Sequence, residues 1–316
     1  MTITLAAGVD VGRDFLDVAL APSGRAFRAP NTPQGVALIQ DRLARHGVRR
    51  VVMESIGAYG ARLLRALCAA GFEVGVVDPR RIRALRTAEG GRAKTDRLDA
   101  RLIARFALIM SDAVRPAPAP EALKLRALST RRRQLVEMIA MEKTRLRQAL
   151  DPEILASHRE TIALLSAERA KIEAEIEARV QASPQDARKE ELLRTIPGVG
   201  PVIAATLVVD LPELGARDAK AIASLAGVAP HIEQSGLSKG SAHISGGRPC
   251  VRAALYLAAL NAVRAETGFK RQYQAMRAAG KPPKVALIAV ARKLLVAANS
   301  MLKTDRPWTP TSRLGD

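Results

Sequence analysis

Residues 94–100 read Lys-Thr-Asp-Arg-Leu-Asp-Ala and place two acids, Asp96 and Asp99, at the start of a segment with helical periodicity. Acids at positions i and i+3 lie on one face of a helix, so both carboxylates can point at the same target. Like charges held so close raise each other's pKa unless a cation lies between them. The spacing therefore predicts a bound cation, either an arginine of this chain or a metal ion.

Two further acids follow strand-like runs earlier in the chain. Asp10 comes after Ala-Ala-Gly-Val, and Glu54 comes after Val-Val-Met. Functional residues of open α/β sheets gather at strand ends, so both acids are well placed to join Asp96 and Asp99. Carboxylate oxygens favour Mg²⁺ or Mn²⁺, and two such ions about 3.5–4 Å apart stabilise both oxygens of a phosphodiester displacement. The pattern fits scattered surface salt bridges equally well.

A second candidate motif is the stretch Leu192-Leu-Arg-Thr-Ile-Pro-Gly-Val-Gly-Pro201. It reads as two short helices joined by Gly198-Val-Gly200, a helix-hairpin-helix. Glycines allow close backbone approach, and the first N–H groups of the second helix can bind a phosphate. The alternative is a tight helix–helix turn that binds no ligand.

The third candidate is a polar stretch between Gly227 and Pro249 that lacks clear periodicity. Structureless stretches of this length in compact domains are usually functional or disordered. Ser235, followed by Gly236 and Lys239, is a candidate nucleophile on phosphate, but a serine hydroxyl needs a base or metal to activate it. Taken singly, each serine of the stretch is more simply a loop residue: Ser235, Ser238, Ser241 and Ser245.

The charge of the chain indicates a polyanionic partner. It has 50 Lys+Arg against 31 Asp+Glu, a net charge of +19 over 316 residues. Residues 1–118 hold 19 basic and 11 acidic residues, residues 119–190 hold 14 and 12, and residues 191–316 hold 17 and 8. Two basic blocks thus flank a nearly balanced middle. Aromatic residues are only 3%, which favours backbone phosphate contacts over base stacking. A GC-rich coding sequence would also inflate arginine.

Several classes of protein are disfavoured. Two cysteines, Cys68 and Cys250, make no disulfide framework, and no Cys/His spacing predicts zinc. The N-terminus lacks the features of a signal peptide, and the longest apolar run, Ala253–Val263, is too short to span a bilayer. We therefore expect a cytoplasmic protein without a membrane partner.

The chain divides by pattern into three parts. Residues 1–118 alternate strand and helix signals in the order β-β-β-α-β-α-β-α, which predicts a mixed α/β sheet domain. Residues 119–189 follow a proline-rich linker, Arg115–Pro120, and predict two long helices with a narrow apolar stripe. That stripe fits a coiled coil between subunits or a helical hairpin packed on its own domain. Residues 190–316 are mainly helical.

In their order along the chain, these motifs resemble one family. The four acids, Ile196-Pro-Gly-Val-Gly200, Gln234-Ser-Gly236 and Gly246-Gly-Arg…Arg252-Ala-Ala-Leu-Tyr256 are similar to those of DEDD-type transposases of the insertion sequence one hundred and ten family. The resemblance covers nearly the whole chain, and residues 94–100 are its most specific part.

The resemblance implies a RuvC-like, ribonuclease-H-type domain (1–118), a coiled-coil middle (119–189) and a C-terminal transposase domain (190–316). It implies that Asp10, Glu54, Asp96 and Asp99 bind metal and that Ser235 forms a covalent phosphoserine with DNA. It also implies a structured bridge RNA that pairs with donor and target DNA, and dimers or tetramers with composite active sites. We predict nucleic-acid contacts at seven further positions: Arg97, Arg101, Gly198, Gly200, Lys239, Arg248 and Arg252.

Two other functions compete with this interpretation. A structure-specific nuclease of the Holliday-junction resolvase type would use the same acids with water as nucleophile. A non-catalytic DNA- or RNA-binding protein would need only the basic domains. The guide RNA, the target and the subunit number are not encoded in any motif.

Overall fold

Three antiparallel strands open the chain and are followed by alternating helices and strands. The computed structural model describes residues 5–54, 58–90, 96–110, 114–231, 234–235, 238–239 and 243–309; the side chains of Asp96, Arg97 and residues 231–242 also lie outside the description. Contacts divide the chain into two units, 1–120 and 121–316. The elements of the first unit are β1 (Ala6–Val11), β2 (Phe15–Ala21), β3 (Ala26–Pro30), α1 (Pro33–Arg45), β4 (Arg50–Glu54), α2 (Ala61–Ala69), β5 (Glu73–Val77), α3 (Pro79–Ala88), α4 (Asp96–Ile109) and β6 (Arg115–Pro116).

These strands form one mixed sheet in the order β3-β2-β1-β4-β5-β6. β1 pairs antiparallel with β2 and parallel with β4, which in turn runs parallel to β5. Apolar runs such as Val51-Val-Met53 are buried because the parallel strands lie at the centre of the sheet. The predicted α/β N-terminal domain is therefore confirmed.

Helix α4 packs directly on β1 because Gly8 leaves room for it. A β-carbon on Gly8 would overlap the backbone of Ala100 and Ala104. The helix also buries Leu102 and Phe106, the apolar stripe expected from its periodicity. Small residues at the crossing let α4 lie closer to the sheet than ordinary side chains would permit.

The second unit is helical, with short two-residue strands in its polar stretch. Its elements are α5 (Pro120–Gln148), α6 (Pro152–Gln181), α7 (Pro184–Arg194), α8 (Pro201–Asp210), α9 (Ala219–Ala226), β7 (Pro230–His231), β8 (Gln234–Ser235), β9 (Ser238–Lys239), β10 (His243–Ile244), α10 (Pro249–Arg264), α11 (Gly268–Ala278) and α12 (Pro283–Thr304). The mainly helical remainder is thus confirmed.

Helices α5 and α6 form an antiparallel hairpin. Ion pairs and a hydrogen bond join its two arms from base to tip: the ion pairs are Glu121 with Arg179 at 2.6 Å and Arg132 with Glu173 at 2.7 Å, and the hydrogen bond joins Glu142 and His158 at 2.7 Å. Near its base, Leu125, Leu128, Ile176 and Val180 pack with Val209 of α8. The structure therefore shows a hairpin packed on its own unit, and pairing between subunits stays a prediction.

The core of the second unit is built around α8, α10 and α12. Val251, Ala258, Phe269 and Leu295 are fully buried there. Within the described residues, α12 alone is long and apolar enough to cross a membrane, but half of its apolar window is buried in this core. A helix at the centre of a protein core has the same length and apolar composition.

Three elements differ from the sequence-based expectations. The predicted linker at Arg115–Pro120 begins with β6, which pairs antiparallel with β5 at the edge of the sheet. Helix α7 begins at Pro184, about two turns before Leu192, the first residue of the predicted helix-hairpin-helix motif, and the Ser183 side chain caps it by accepting a hydrogen bond from the Asp186 N–H. The polar stretch is not wholly irregular, since β7 pairs with β10 and β8 with β9.

Candidate active site

The register of the sheet places Asp10 and Glu54 at the same end of the sheet and on the same face of it. Gly8 is opposite Val52 in the parallel β1–β4 pair, and each acid follows two residues later. Residues i and i+2 of a strand point to the same face. Because α4 covers Gly8, both acids lie on the face that α4 covers, at the carboxyl ends of their strands.

The first turn of α4 lies at that same end of the sheet. Ala100 and Ala104 lie over Gly8, whereas Leu108, further along the helix, packs in the cluster that contains Ala21. Ala21 is opposite Ala6, at the start of β1. The helix therefore runs from the Asp10 end of the strand toward its beginning. Its first turn, which begins at Asp96 and contains Asp99, starts near the strand end that holds Asp10.

Asp99 is buried, with 7% of its surface exposed, and has a cationic partner. The guanidinium of Arg86 on α3 donates a hydrogen bond to its Oδ1 atom. A buried carboxylate is costly unless it is paired, and Arg86 supplies the charge. The sequence left open whether a chain arginine or a metal would fill this role, and nothing near residues 94–100 pointed to Arg86.

The donor set of this end of the sheet is chemically suited to a hard divalent cation. At this end of the sheet, Asp10, Glu54 and Asp99 supply carboxyl oxygens, whereas the side chain of Asp96 lies outside the described residues. Among the side chains that the structure describes, no three of His, Cys, Asp or Glu lie close enough to hold a metal ion. Asp99 faces Arg86 in this arrangement. Asp10, Glu54 and Asp99 thus share one end of the sheet, and metal binding by the four acids stays a prediction.

Asp17 is a structural acid beside this site. It lies opposite Asp10 in the β1–β2 ladder and is 3% exposed. Arg28 of β3 binds it through Nη2 at 2.7 Å and through Nε at 3.1 Å to both oxygens. This pair neutralises a second acid next to Asp10, where two like charges directly opposite would destabilise the sheet.

The two glycines of the helix-hairpin-helix motif have different surroundings. Gly198 has φ +88°, and a β-carbon there would lie 2.7 Å from Ala262 N, so this glycine is needed for packing against α10. Gly200 is exposed, has open space around it and precedes the first residue of α8. The tight turn is a structural fact, and phosphate binding by it stays a prediction.

The candidate serine lies on a short hairpin within the polar stretch. Ser235 of β8 pairs with Ser238 of β9, and Gln234 pairs with Lys239. The side chains of these residues lie outside the described part of the chain. Their backbone places Ser235 and Lys239 on adjacent strands, one register position apart.

The predicted phosphate-binding arginines differ in their surroundings. Arg101 is exposed on α4, whereas the side chain of Arg97 lies outside the description. Arg248 donates to both Glu213 oxygens at 2.6 Å and to the Asp210 carbonyl at 2.9 Å. The hydrogen bond with Glu213 is the main reason why the pKa of Arg248 is raised. Arg252 donates to the Gly246 carbonyl at 2.8 Å. Their contacts to nucleic acid stay predictions, and Glu213 is a partner that no sequence pattern indicated.

Comparison with known families relates both parts of the chain to transposases. Residues 7–153 match a family model described as a transposase, of the DEDD type of IS110. Residues 190–274 match a second model, described as transposase IS116/IS110/IS902 family. The first match contains the four acids, and the second contains Ser235.

Similar curated proteins include two pilin gene-inverting proteins, from Moraxella lacunata and Moraxella bovis. The chain is 29% identical to the pilin gene-inverting protein of Moraxella lacunata, over 82% of this chain and 81% of that protein. It is 24% identical to the insertion element IS110 uncharacterized 43.6 kDa protein of Streptomyces coelicolor, over 94% of this chain and 93% of that protein. Among solved structures, T. thermophilus RuvC in complex with a Holliday junction substrate matches at 18% identity and a TM-score of 0.27, over 36% of this chain and 99% of that chain.

Proposed function

From the membership of this chain in the IS116/IS110/IS902 family of transposases, a family of enzymes that cut and rejoin DNA, we propose a specific mechanism and specific partners. The protein recombines the ends of its element with target DNA through Ser235, aided by the four acids and guided by a structured bridge RNA. The observation that carries this proposal is that one chain matches the family over both the acids and the serine.

The acids would hold Mg²⁺ or Mn²⁺ in a RuvC-like, ribonuclease-H-type domain. Asp10 and Glu54 lie at strand ends on the face that α4 covers, and Asp99 is in the first turn of that helix. When bound, such an ion supplies positive charge that stabilises the phosphate oxygens as they become more negative. The residues of the chain would orient the scissile phosphate, and Arg86 holds the Asp99 carboxyl group by a hydrogen bond.

Ser235 would act as the nucleophile in a phosphoryl transfer. Its Oγ forms a bond to phosphorus while the bond from phosphorus to the leaving sugar oxygen breaks. The serine proton passes to a base, and the leaving oxygen takes up a proton as it departs. The phosphoserine conserves the energy of the broken bond, so a second sugar hydroxyl can reverse the step and rejoin a different strand.

The nucleic-acid partners would bind to the two basic blocks. Residues 1–118 and 191–316 carry net charges of +8 and +9, from 19 basic against 11 acidic residues and from 17 against 8. Donor DNA, target DNA and bridge RNA are all polyanions, and phosphate contacts fix their position. The α5–α6 hairpin would join subunits into dimers or tetramers, which act on DNA in the bacterial cytoplasm.

The test is a covalent trap on DNA that contains the element ends. The parent protein, incubated with bridge RNA and Mg²⁺ and then denatured, should carry a DNA fragment on Ser235. Ser235→Ala should lose the adduct and recombination but keep DNA binding. Asp99→Asn should also lose both adduct formation and recombination.

Two outcomes of this experiment would overturn the proposal. If Ser235→Ala still cuts DNA, water is the nucleophile and the protein is a nuclease of the resolvase type. If Asp96→Asn and Asp99→Asn both recombine normally, the acids do not take part, and the basic domains act without them.

A further inference from the structure

The polar stretch that carries Ser235 leaves the helical body and returns to it at a narrow neck. We call residues 228–245 the serine lobe and Gly227, Gly246 and Gly247 its neck. Gly227 and Gly247 have φ of 71° and 64°, in the left-handed region that favours glycine. A β-carbon on Gly247 would overlap the backbone of Gly227 and lie 2.8 Å from the Ser224 carbonyl. The two ends of the lobe therefore touch through bare backbone.

Hydrogen bonds on both sides of the neck support this contact. The Arg248 amide donates to the Leu225 carbonyl at 2.9 Å, which joins the returning strand to the end of α9. Just inside the lobe, β7 and β10 pair antiparallel, with Pro230 opposite Ile244 and His231 opposite His243. The lobe thus begins and ends as one two-stranded stem.

Arg252 bridges the two sides of the neck. Its Nη1 atom donates to the Gly246 carbonyl at 2.8 Å and lies 3.4 Å from the Gly227 carbonyl, on the opposite side. It extends from the first turn of α10, whose residues Val251 and Leu255 are buried in the core. A guanidinium group fixes several acceptors at once because its donors form a rigid planar fork.

Arg248 ties the returning side of the neck to the core. Its two terminal nitrogens each bind one Glu213 oxygen at 2.6 Å, and Nη1 also binds the Asp210 carbonyl at 2.9 Å. About a quarter of each side chain in this pair is exposed, so water screens the pair only in part. The same Asp210 accepts a hydrogen bond of 2.7 Å from Ser129 on α5, which links this tie to the base of the hairpin.

We infer that Arg252 and the Arg248–Glu213 pair are positioning residues that hold the neck of the serine lobe and thereby fix where Ser235 meets the scissile phosphate. The inference rests on the proposed role of Ser235. It differs from the sequence-based prediction that both arginines contact nucleic acid, because their donors are directed at the chain itself. A nucleophile displaced by about 1 Å can lose about 10²-fold in rate.

The decisive variant is Arg252→Lys in the full-length protein. Lysine keeps the positive charge for phosphate, but its ammonium nitrogen lies one bond closer to the backbone than Nη1, the arginine atom that contacts both sides of the neck. At saturating element DNA, with bridge RNA and Mg²⁺, the rate of adduct formation should fall about 10²-fold while DNA affinity stays unchanged. Amide hydrogen exchange should accelerate in residues 228–247 and not elsewhere. Glu213→Gln should also slow adduct formation and accelerate amide hydrogen exchange in residues 228–247, but by smaller factors than Arg252→Lys.

Gly247→Ala tests the backbone contact, and Gly280→Ala is its matched control. Gly280 has φ +83° in the turn before α12 and no neighbouring atom within 4 Å, so alanine there adds the left-handed strain without touching the neck. Gly247→Ala should slow adduct formation strongly, and Gly280→Ala should not.

The inference fails if Arg252→Lys forms adduct at the parent rate, or if its only defect is weaker DNA binding. Failure of the serine mechanism is seen separately, because Ser235→Ala would then still cut DNA or still form a normal adduct. Hydrogen exchange of the neck does not depend on that chemistry. If the exchange of residues 228–247 is unchanged in Arg252→Lys, the arginine does not hold the neck.

Discussion

Asp99 and Arg86 form a buried ion pair where the spacing of two acids demanded a cation. The exposed fractions of their side chains are 9% and 18%, so each charge depends on the other. Breaking a buried pair by removing one partner leaves an uncompensated charge. Arg86 therefore holds the Asp99 carboxyl group in place, and in the proposed mechanism a divalent ion would replace it there.

We expect Arg86→Ala to lower the free energy of unfolding by about 3 kcal/mol in the absence of divalent ions. Denaturant titrations measure this loss. Mg²⁺ should restore more stability to the variant than to the parent, since a bound ion stabilises the folded state and replaces the lost charge.

Arg105→Ala is the control for that experiment. Arg105 pairs with Glu89 at 3.1 Å, and 64% of its side chain is exposed. An exposed pair of this kind contributes less than about 1 kcal/mol. Equal losses of unfolding free energy in the two variants would show that burial does not strengthen the ion pair between Asp99 and Arg86.

Residue types and spacing selected the four acids as candidate ligands, but they could not identify the partners of the charged side chains. Asp17 is a charged residue in a strand, and it is buried against Arg28. Arg248 and Arg252 looked like phosphate ligands, yet both hydrogen-bond to the chain itself. Partners of this kind come from distant segments, and no local pattern encodes them.

At the scale of elements, the crossing of α4 over β1 decides where the acids lie. The contact depends on Gly8, because a β-carbon there would overlap the backbone of the helix at Ala100 and Ala104. Any outward shift of α4 also moves Asp99, which is one residue from that contact.

Gly8→Ala should therefore destabilise the protein by about 1–3 kcal/mol through overpacking and reduce recombination. Thermal unfolding and recombination assays with element DNA measure the two effects. Gly24→Ala, in an open turn with φ +70°, should cost stability through backbone strain but leave recombination intact. A Gly8→Ala protein with parent stability and activity would contradict the tight crossing.

The tip of the α5–α6 hairpin depends on pH through Glu142. The hydrogen bond from His158 lowers the pKa of this carboxyl, burial opposes the shift, and Arg145 supports it. A lowered pKa gives stability that is present above the usual carboxyl pKa of about 4.3 and is lost as pH falls through the folded value.

Glu142→Gln should accordingly lower Tm at pH 7, and the difference from the parent should shrink as pH falls below about 4. Thermal unfolding monitored by circular dichroism across this range measures it. A difference that is constant with pH would assign the loss to packing instead of charge.

The elements that periodicity could locate are those with a clean apolar pattern. The first five strands and the two helices between them occur in the order that the sequence predicts. β6 was not predicted, because a two-residue edge strand with a proline carries no alternation and exists only through pairing with β5. Helix α7 was also underestimated, since its polar first turns have no apolar period and depend on the Ser183 cap.

At the scale of the whole molecule, the acids and Ser235 belong to different compact units. The boundary lies between Pro120 and Glu121, and each unit has its own buried core. The proposed mechanism uses both units of one chain, whereas no feature of either unit taken by itself points to the other.

Residues 1–120 should fold without the second unit. We expect cooperative thermal unfolding and a rise in Tm on addition of Mn²⁺, since the proposed ligands all lie in this unit. The fragment should form no covalent adduct with element DNA. Asp10→Asn in the same fragment is the control, and a Tm shift that survives this change would place the ion elsewhere.

The bare backbone contact between Gly227 and Gly247 also bears on how this enzyme can be engineered. Because the neck is closed by groups outside residues 228–245, the amino acids inside the lobe are not required to hold its ends together. The lobe is therefore suited to exchange as a cassette between relatives, grafted between the two glycines. Chimaeras cut at this neck should tolerate foreign lobes better than chimaeras cut within α9 or α10, where the core would be broken.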